Sequence, residues 1–253
     1  MGTMEKFQDR FFEEKRELLK SLGIKAILFD FDDTLIYTQE LFIKYMDEYI
    51  EVVALETGLD RKVVREDVER LNDEEYKQMG VNPERWCVVA ERMAREREGY
   101  GESAIRNLYV LGKIYTDEPR VKEGARAVLQ ILSDMGIKMG MVTHANVDWT
   151  WRKMAKVKMV DFFDAIVIAD ENKHKGVEHW LSVMEELGVT PEECLVIGDS
   201  LGGDIIPTAK VGARTMWLHT GSSWSMYRTG EIPESTVHLD QINQVLSALE
   251  ELR

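Results

Sequence analysis

Asp30-Phe31-Asp32-Asp33-Thr34 places three carboxylates within four positions, directly after the apolar run Ala26-Ile27-Leu28-Phe29. A short apolar run bounded this way reads as a strand buried on both faces, in the manner of a parallel sheet. Three acids in a row do not belong in a core. In an open parallel α/β sheet, ligands bind outside the carboxyl ends of the strands, which is where these acids would sit. If extended backbone continues past the strand, Asp30 and Asp32 point to the same side. Two carboxylates so close repel unless a cation lies between them or one holds a proton. A hard divalent ion such as Mg²⁺ is the expected partner for such oxygens. Taken alone, the same residues would also serve as an Asp-rich turn capping the next helix, since Asp and Thr favour N-caps. The rest of the chain decides between the two.

The elements that must position these acids follow from periodicity. Phe7, Phe11, Leu18 and Leu22 form a helical stripe over 4–22, with Gly23 at its stop. Phe42, Tyr45, Met46, Tyr49, Val52 and Val53 mark a helix over 38–57, ended by Gly58. From there to residue 118 the pattern stays helical and charged, with a helix start at Asn82-Pro83-Glu84 and no convincing strand. After residue 120, strands alternate with helices. Strands are expected at 138–142, 165–168, 195–198 and 215–218, and helices at 125–135, 147–157, 177–187 and about 239–251, with 219–236 as loop. Thr190-Pro191-Glu192-Glu193 has capping-box spacing. Such alternation predicts an α/β fold with a doubly wound, Rossmann-like parallel-sheet core. Some 80 residues of helix between the first two strands is too much for a simple crossover. The expected organisation is a catalytic core of residues 1–37 and 119–253 with an inserted all-helical cap domain over 38–118.

Composition narrows the partners. A net charge of −14 argues against nucleic acid or an anionic membrane, while leaving room for a small phosphate ester bound locally. No apolar run approaches the roughly 18–20 residues of a membrane span. The N-terminus lacks the apolar core of a secretory signal. Cys87 and Cys194 stand alone, without zinc-site spacing, and fit a reducing cytoplasm.

Four strand ends carry reactive polar groups: Asp30 with Asp32; Thr143, followed by His144; the 170–175 loop with Lys173 and Lys175; and Asp199 with Asp204. A parallel sheet presents all of them at one edge, and that convergence is the functional signal. In this the chain resembles the haloacid dehalogenase-like hydrolase superfamily, in its phosphatase branch with an inserted helical cap, phosphoglycolate phosphatase-like. Asp30-Phe31-Asp32-Asp33-Thr34 matches the first motif of that family, Thr143 the second, a lysine ahead of a helix the third, and Gly198-Asp199-Ser200 with Asp204 the fourth, in the right order.

The resemblance implies a mechanism and its cofactor. Asp30 would be the nucleophile, forming an aspartyl-phosphate. Asp32 would be the general acid and base, which demands a raised pKa. Mg²⁺ would be held by Asp30, Asp199 and the backbone carbonyl of Asp32, with Asp204 tuning the shell. Thr143 would bind a phosphoryl oxygen, and the lysine would offset charge. Lys175 is favoured for that part because the helical stripe begins at Val177; Lys173 is the fallback. His144 stands where many relatives have Asn, and is read as a phosphate or substrate contact or as a neutral hydrogen-bonding residue. The implied substrate is a small phosphorylated metabolite. The alternatives are a phosphomutase of the β-phosphoglucomutase kind, which keeps both acids, and a non-catalytic binding or regulatory module on the same fold. A haloacid dehalogenase is disfavoured, because that branch needs no acid at the position of Asp32.

The remaining notable residues carry structural expectations. Trp149, Trp151 and Trp180 should pack helices on the sheet. His174 and His179 should face solvent. Met46, Met79 and Met93 should fill the core of the cap. Arg85, Trp86 and Arg106 could reach a substrate, with surface positions as the plainer expectation.

Overall fold

A computed structural model describes residues 3–172, 174–219 and 230–253, with side chains from residue 10 onward. The strands are β1 (Ala26–Phe29), β2 (Lys138–His144), β3 (Ala165–Ala169), β4 (Cys194–Gly198), β5 (Arg214–Leu218) and β6 (Val237–Leu239). They form one parallel sheet in the order β3-β2-β1-β4-β5-β6. The helices are α1 (Thr3–Ser21), α2 (Thr38–Thr57), α3 (Arg61–Met79), α4 (Arg85–Glu96), α5 (Ser103–Arg106), α6 (Leu108–Gly112), α7 (Ala125–Asp134), α8 (Val147–Lys156), α9 (Val177–Leu187), α10 (Ile206–Lys210) and α11 (Val245–Ala248).

All four residues of β1 are buried, as an uninterrupted apolar strand must be when both its faces are covered. Ile27 and Phe29 face a core closed by α1, α7 and α11; Ala26 and Leu28 face the opposite core, closed by α9. Chain order reverses between β1 and β4, which makes their carboxyl ends the switch-point crevice of a doubly wound sheet. In register, Phe29 lies beside Met141 on one side and Ile197 on the other. Asp30, Thr143 and Asp199 therefore leave the sheet within two residues of one another.

Helices α2 to α6 build a second apolar cluster around Tyr49, Val53, Leu71, Trp86, Val89 and Met93. The segments entering and leaving this helical insertion are tied together: Tyr37 N–H donates to the Arg120 carbonyl at 2.8 Å, and Lys122 N–H to the Leu35 carbonyl at 2.9 Å. Helix α8 spans both bodies. Its Trp149 packs in the cap cluster, while Met154 packs in the sheet core.

Several local expectations are corrected. β6 was not expected; it is three residues long and ends at Leu239, where the final helix was expected to start. Part of the expected 219–236 loop, residues 220–229, lies outside the described residues, as does the side chain of Phe7. Thr190-Pro191 opens only a 3-10 turn over Pro191–Glu193, although the capping box forms. Trp180 packs on the sheet as expected, but Trp149 joins the cap and Trp151 is exposed. Met93 is fully buried in the cap and Met46 packs against it, while Met79 is only partly buried and outside that cluster.

Candidate active site

The site is a cavity of about 260 Å³ between the carboxyl edge of the sheet and the helical insertion. Its floor is Asp30, Asp32, Asp33, Thr143, Lys175, Asp199 and Ser200; its roof includes Phe42, Tyr76, Val81, Arg85 and Trp149.

Asp30 is almost fully buried at the end of β1. Its Oδ1 accepts from Lys175 Nζ at 2.5 Å and its Oδ2 from Thr34 Oγ1 at 2.8 Å. Lys175 also pairs with Asp204 at 2.6 Å. It lies just ahead of α9, whose first turn is fixed by Gly176 N–H donating to His179 Nδ1 at 3.1 Å. His179 is thus a partly buried capping residue and not a solvent-facing one. Lys173 lies outside the described residues.

Asp30, Asp199 and Asp204 bring carboxylate oxygens within 4.8 Å of one another. Gly198 makes this possible: a Cβ there would lie 2.2 Å from Asp204 Oδ2. Two indoles pin the same loop. Trp217 Nε1 donates to the Asp199 carbonyl and Trp180 Nε1 to the Gly203 carbonyl, each at 2.8 Å. The cluster is electrostatically incomplete. Burial pushes the Asp30 carboxyl up to about 7, with Lys175 opposing and the Asp204 and Asp32 charges adding to it. Burial, then the charges of Asp30, Asp33 and Asp204, raises Asp199 well above the usual range. Crowded hard oxygens of this kind fit a small divalent cation.

Asp32 lies apart from that trio. Its carboxylate pairs with the buried ammonium of Lys153, accepts from Thr38, and accepts from Thr143 Oγ1 at 3.1 Å. Burial works to raise its pKa, but Lys153, Thr38 and Thr143 outweigh burial and hold it below the usual carboxylate range. The expectation of a raised pKa is thereby reversed, because the packing of α8 brings a lysine against it. Lys153 itself lies 3.8 Å from the centre of the Trp149 ring. Asp33, with φ of 59°, accepts from Gln39 N–H at 3.0 Å, and burial pushes it up to about 6.

His144 lines the cavity, and its ring centre is 6.3 Å from that of His174. His174 is exposed but also lines the cavity, 5.9 Å from Tyr76 by the same measure. Arg85 and Trp86 are buried, against the expectation of surface positions, whereas Arg106 is exposed.

Reasoning from sequence did not single out Lys153, Thr38 or Trp217, and named Arg85 only as one of three residues able to reach a substrate. The available signal for Lys153 was its i, i+4 spacing from Trp149 on a helix that starts just after Thr143. Trp217 lies on the fifth strand beside Gly198, next to Asp199, with no local signal that its indole N–H would reach the Asp199 carbonyl.

Comparison with known proteins places this geometry. The family model described as haloacid dehalogenase-like hydrolase matches residues 24–212. A glyceraldehyde 3-phosphate phosphatase of Methanopyrus kandleri is 28% identical over 235 residues, covering 90% of this chain and 98% of its own. A pyrophosphatase PpaX of Bacillus cereus is 25% identical over 236 residues, covering 91% and 99%. In fold, a haloacid dehalogenase-like family hydrolase from Xanthomonas campestris superposes with a TM-score of 0.73 at 16% identity, covering 90% of this chain and 96% of that one. With a strand-end Asp pair, a lysine and a second acidic loop around one cavity, the chain belongs to the haloacid dehalogenase-like hydrolases.

Proposed function

We propose that this enzyme is a Mg²⁺-dependent phosphatase of a small phosphorylated metabolite, working through an aspartyl-phosphate on Asp30. One observation carries the reading: Asp30, Asp32, Thr143, Lys175 and Asp199 line a single cavity, with Asp204 buried behind Lys175 and beside Asp30 and Asp199, although they come from four strand ends. Relatives named as phosphatases of glyceraldehyde 3-phosphate and as pyrophosphatases act on small phosphorylated compounds, which supports the same class.

Asp30, Asp199 and Asp204 would hold the cation, which when bound offsets carboxylate and phosphoryl charge. The Asp30 carboxylate attacks phosphorus, forming an O–P bond as the bond from phosphorus to the leaving oxygen breaks. Lys175, already 2.5 Å from Asp30, orients the nucleophile and offsets its charge. Thr143 hydrogen-bonds a phosphoryl oxygen. Asp32 supplies the proton to the leaving alcohol and then takes one from the water that hydrolyses the intermediate. Its ion pair with Lys153 favours the carboxylate, the form that the second half-reaction uses. The helical insertion roofs the cavity and excludes water from it. Among the described residues, no helix is long and apolar enough to cross a membrane. The two free cysteines, one of them exposed, suit a reducing cytoplasm.

The test is phosphate release from a panel of phosphorylated metabolites and an aryl phosphate, with and without Mg²⁺, for the wild type and Asp30→Asn. Mg²⁺-dependent release that disappears in the variant is expected. Transfer of phosphate between positions of one sugar without release would favour a mutase instead. Binding without any turnover would favour a non-catalytic module.

A further inference from the structure

Arg85, at the start of α4, is 1% exposed yet lines the cavity. Its Nε donates to Asn72 Oδ1 at 3.0 Å and its Nη1 to the Gly80 carbonyl at 3.2 Å. The guanidinium centre lies 4.9 Å from the ring of Trp86 and 5.9 Å from that of Tyr76. Every one of these partners is neutral. Among the described residues, no carboxylate comes within the 4.0 Å of an ion pair. Nη2 takes part in none of these bonds. The contrast with the floor is sharp, since both buried lysines there are paired with aspartates. A buried guanidinium without a counter-charge is costly. It presents donors in a fixed fork that suits a carboxylate or a phosphate.

Resting on the phosphatase reading of the floor, we infer that Arg85 is a specificity residue and that the substrate carries a second anionic group, carboxylate or phosphate, at the end away from the scissile phosphoryl. The apolar residues that line the same cavity, Phe42, Val81 and Trp149, offer that anion little competing water. They strengthen its pairing with Arg85. A neutral tail would leave the guanidinium buried and uncompensated.

The test compares compounds of one carbon skeleton, 3-phosphoglycerate with glyceraldehyde 3-phosphate and glycerol 3-phosphate, with pyrophosphate as the arm for a second phosphate. Binding is measured by calorimetry with Mg²⁺ on the Asp30→Asn protein, where no turnover intrudes. Turnover of the same compounds is measured on the wild type. The account expects the best dianionic-plus-anionic ligand to bind about 10- to 100-fold tighter than the neutral-tailed ones, the scale of one charge-assisted hydrogen bond. Adding Arg85→Gln should erase that preference while leaving the neutral-tailed compounds within about threefold. Arg85→Lys, which keeps the charge but loses the fork, should restore part of it. If the neutral-tailed compounds bind as well as the anionic ones, or if Arg85→Gln weakens all of them alike, the inference is overturned and Arg85 is only a brace for the turn at Gly80. Discrimination in binding with no wild-type turnover of any compound would overturn the phosphatase reading and leave the anion site standing.

Discussion

Lys153 and Asp32 form an ion pair in the wall of the active site, with the lysine side chain 1% exposed and the aspartate side chain 20% exposed. The lysine comes from α8, the helix that packs on both the sheet and the helical insertion. It ties the proposed general acid to the element that joins the two bodies. It also sets the charge state of that acid.

Replacing Lys153 with Met removes the main force that lowers the Asp32 pKa and leaves burial to raise it. Turnover that needs protonated Asp32 falls as pH rises through its pKa. The alkaline fall-off for an alkyl phosphate should therefore move to higher pH, the direction in which loss of a neighbouring positive charge shifts a carboxyl. An aryl phosphate, whose leaving group needs little protonation, should show a smaller change. The pH profiles of kcat for the two substrates check this, and coincident wild-type and variant profiles would count against it.

Burial raises the folded pKa of Asp30 to about 7 and of Asp33 to about 6. Both lie above the unfolded value near 4. Between about pH 4 and 7 these two groups thus bind more protons in the folded, metal-free protein than in the unfolded chain, and their contribution to stability falls as pH rises. A cation held by the trio reverses that penalty. Mg²⁺ should accordingly raise Tm more at pH 8 than at pH 5. At 100 times its Kd the gain is about 2.7 kcal/mol, or on the order of 5–10 °C for a chain of this size. A gain independent of pH, followed by calorimetry, would contradict the assignment.

Gly198→Ala puts a methyl group onto the Asp204 carboxylate. Asp204 must turn away, which disturbs its pairing with Lys175 and the geometry of the trio. The variant should fold, because Gly198 is the last residue of β4 and the apolar residues before it are unchanged, but should need at least about 10-fold more Mg²⁺ for half-maximal activity, the scale of a disturbed supporting residue. A metal titration of activity reads this directly, and an unchanged requirement would rule the packing argument out.

Trp217→Phe keeps an aromatic side chain but removes the indole N–H from which the Asp199 carbonyl accepts. A buried acceptor left without its donor costs about 1–3 kcal/mol. Chemical denaturation should show a loss in that range together with weaker Mg²⁺ binding. A loss of stability with unaltered metal affinity would mean that the bond braces the strand without positioning Asp199.

The sheet and the cluster of polar groups at its carboxyl edge were readable because their signals are local. Four apolar residues before Asp30 require a buried strand, and strand ends in a parallel sheet share one edge. That alone brings Thr143, Lys175 and Asp199 toward Asp30 across more than a hundred residues of chain. β6 was not readable, since three residues give no periodicity. The environment of Asp32 was hidden for a different reason: Lys153 looks like any charged residue on an amphipathic helix, and only the tertiary packing of α8 turns it inward. Arg85 was named as able to reach a substrate, but its burial was hidden in the same way. A charged residue amid a charged helical stretch is usually solvated, and its burial follows from how α3 and α4 meet over the cavity.

The central claim is a covalent phosphoryl group on Asp30. The most direct measurement is the mass of the protein quenched in acid during turnover of its best substrate with Mg²⁺, followed by peptide mapping. The account predicts the added mass of one phosphoryl group on the peptide that contains Asp30, and none in Asp30→Asn. Turnover with no such adduct, or an adduct that persists in Asp30→Asn, would contradict it.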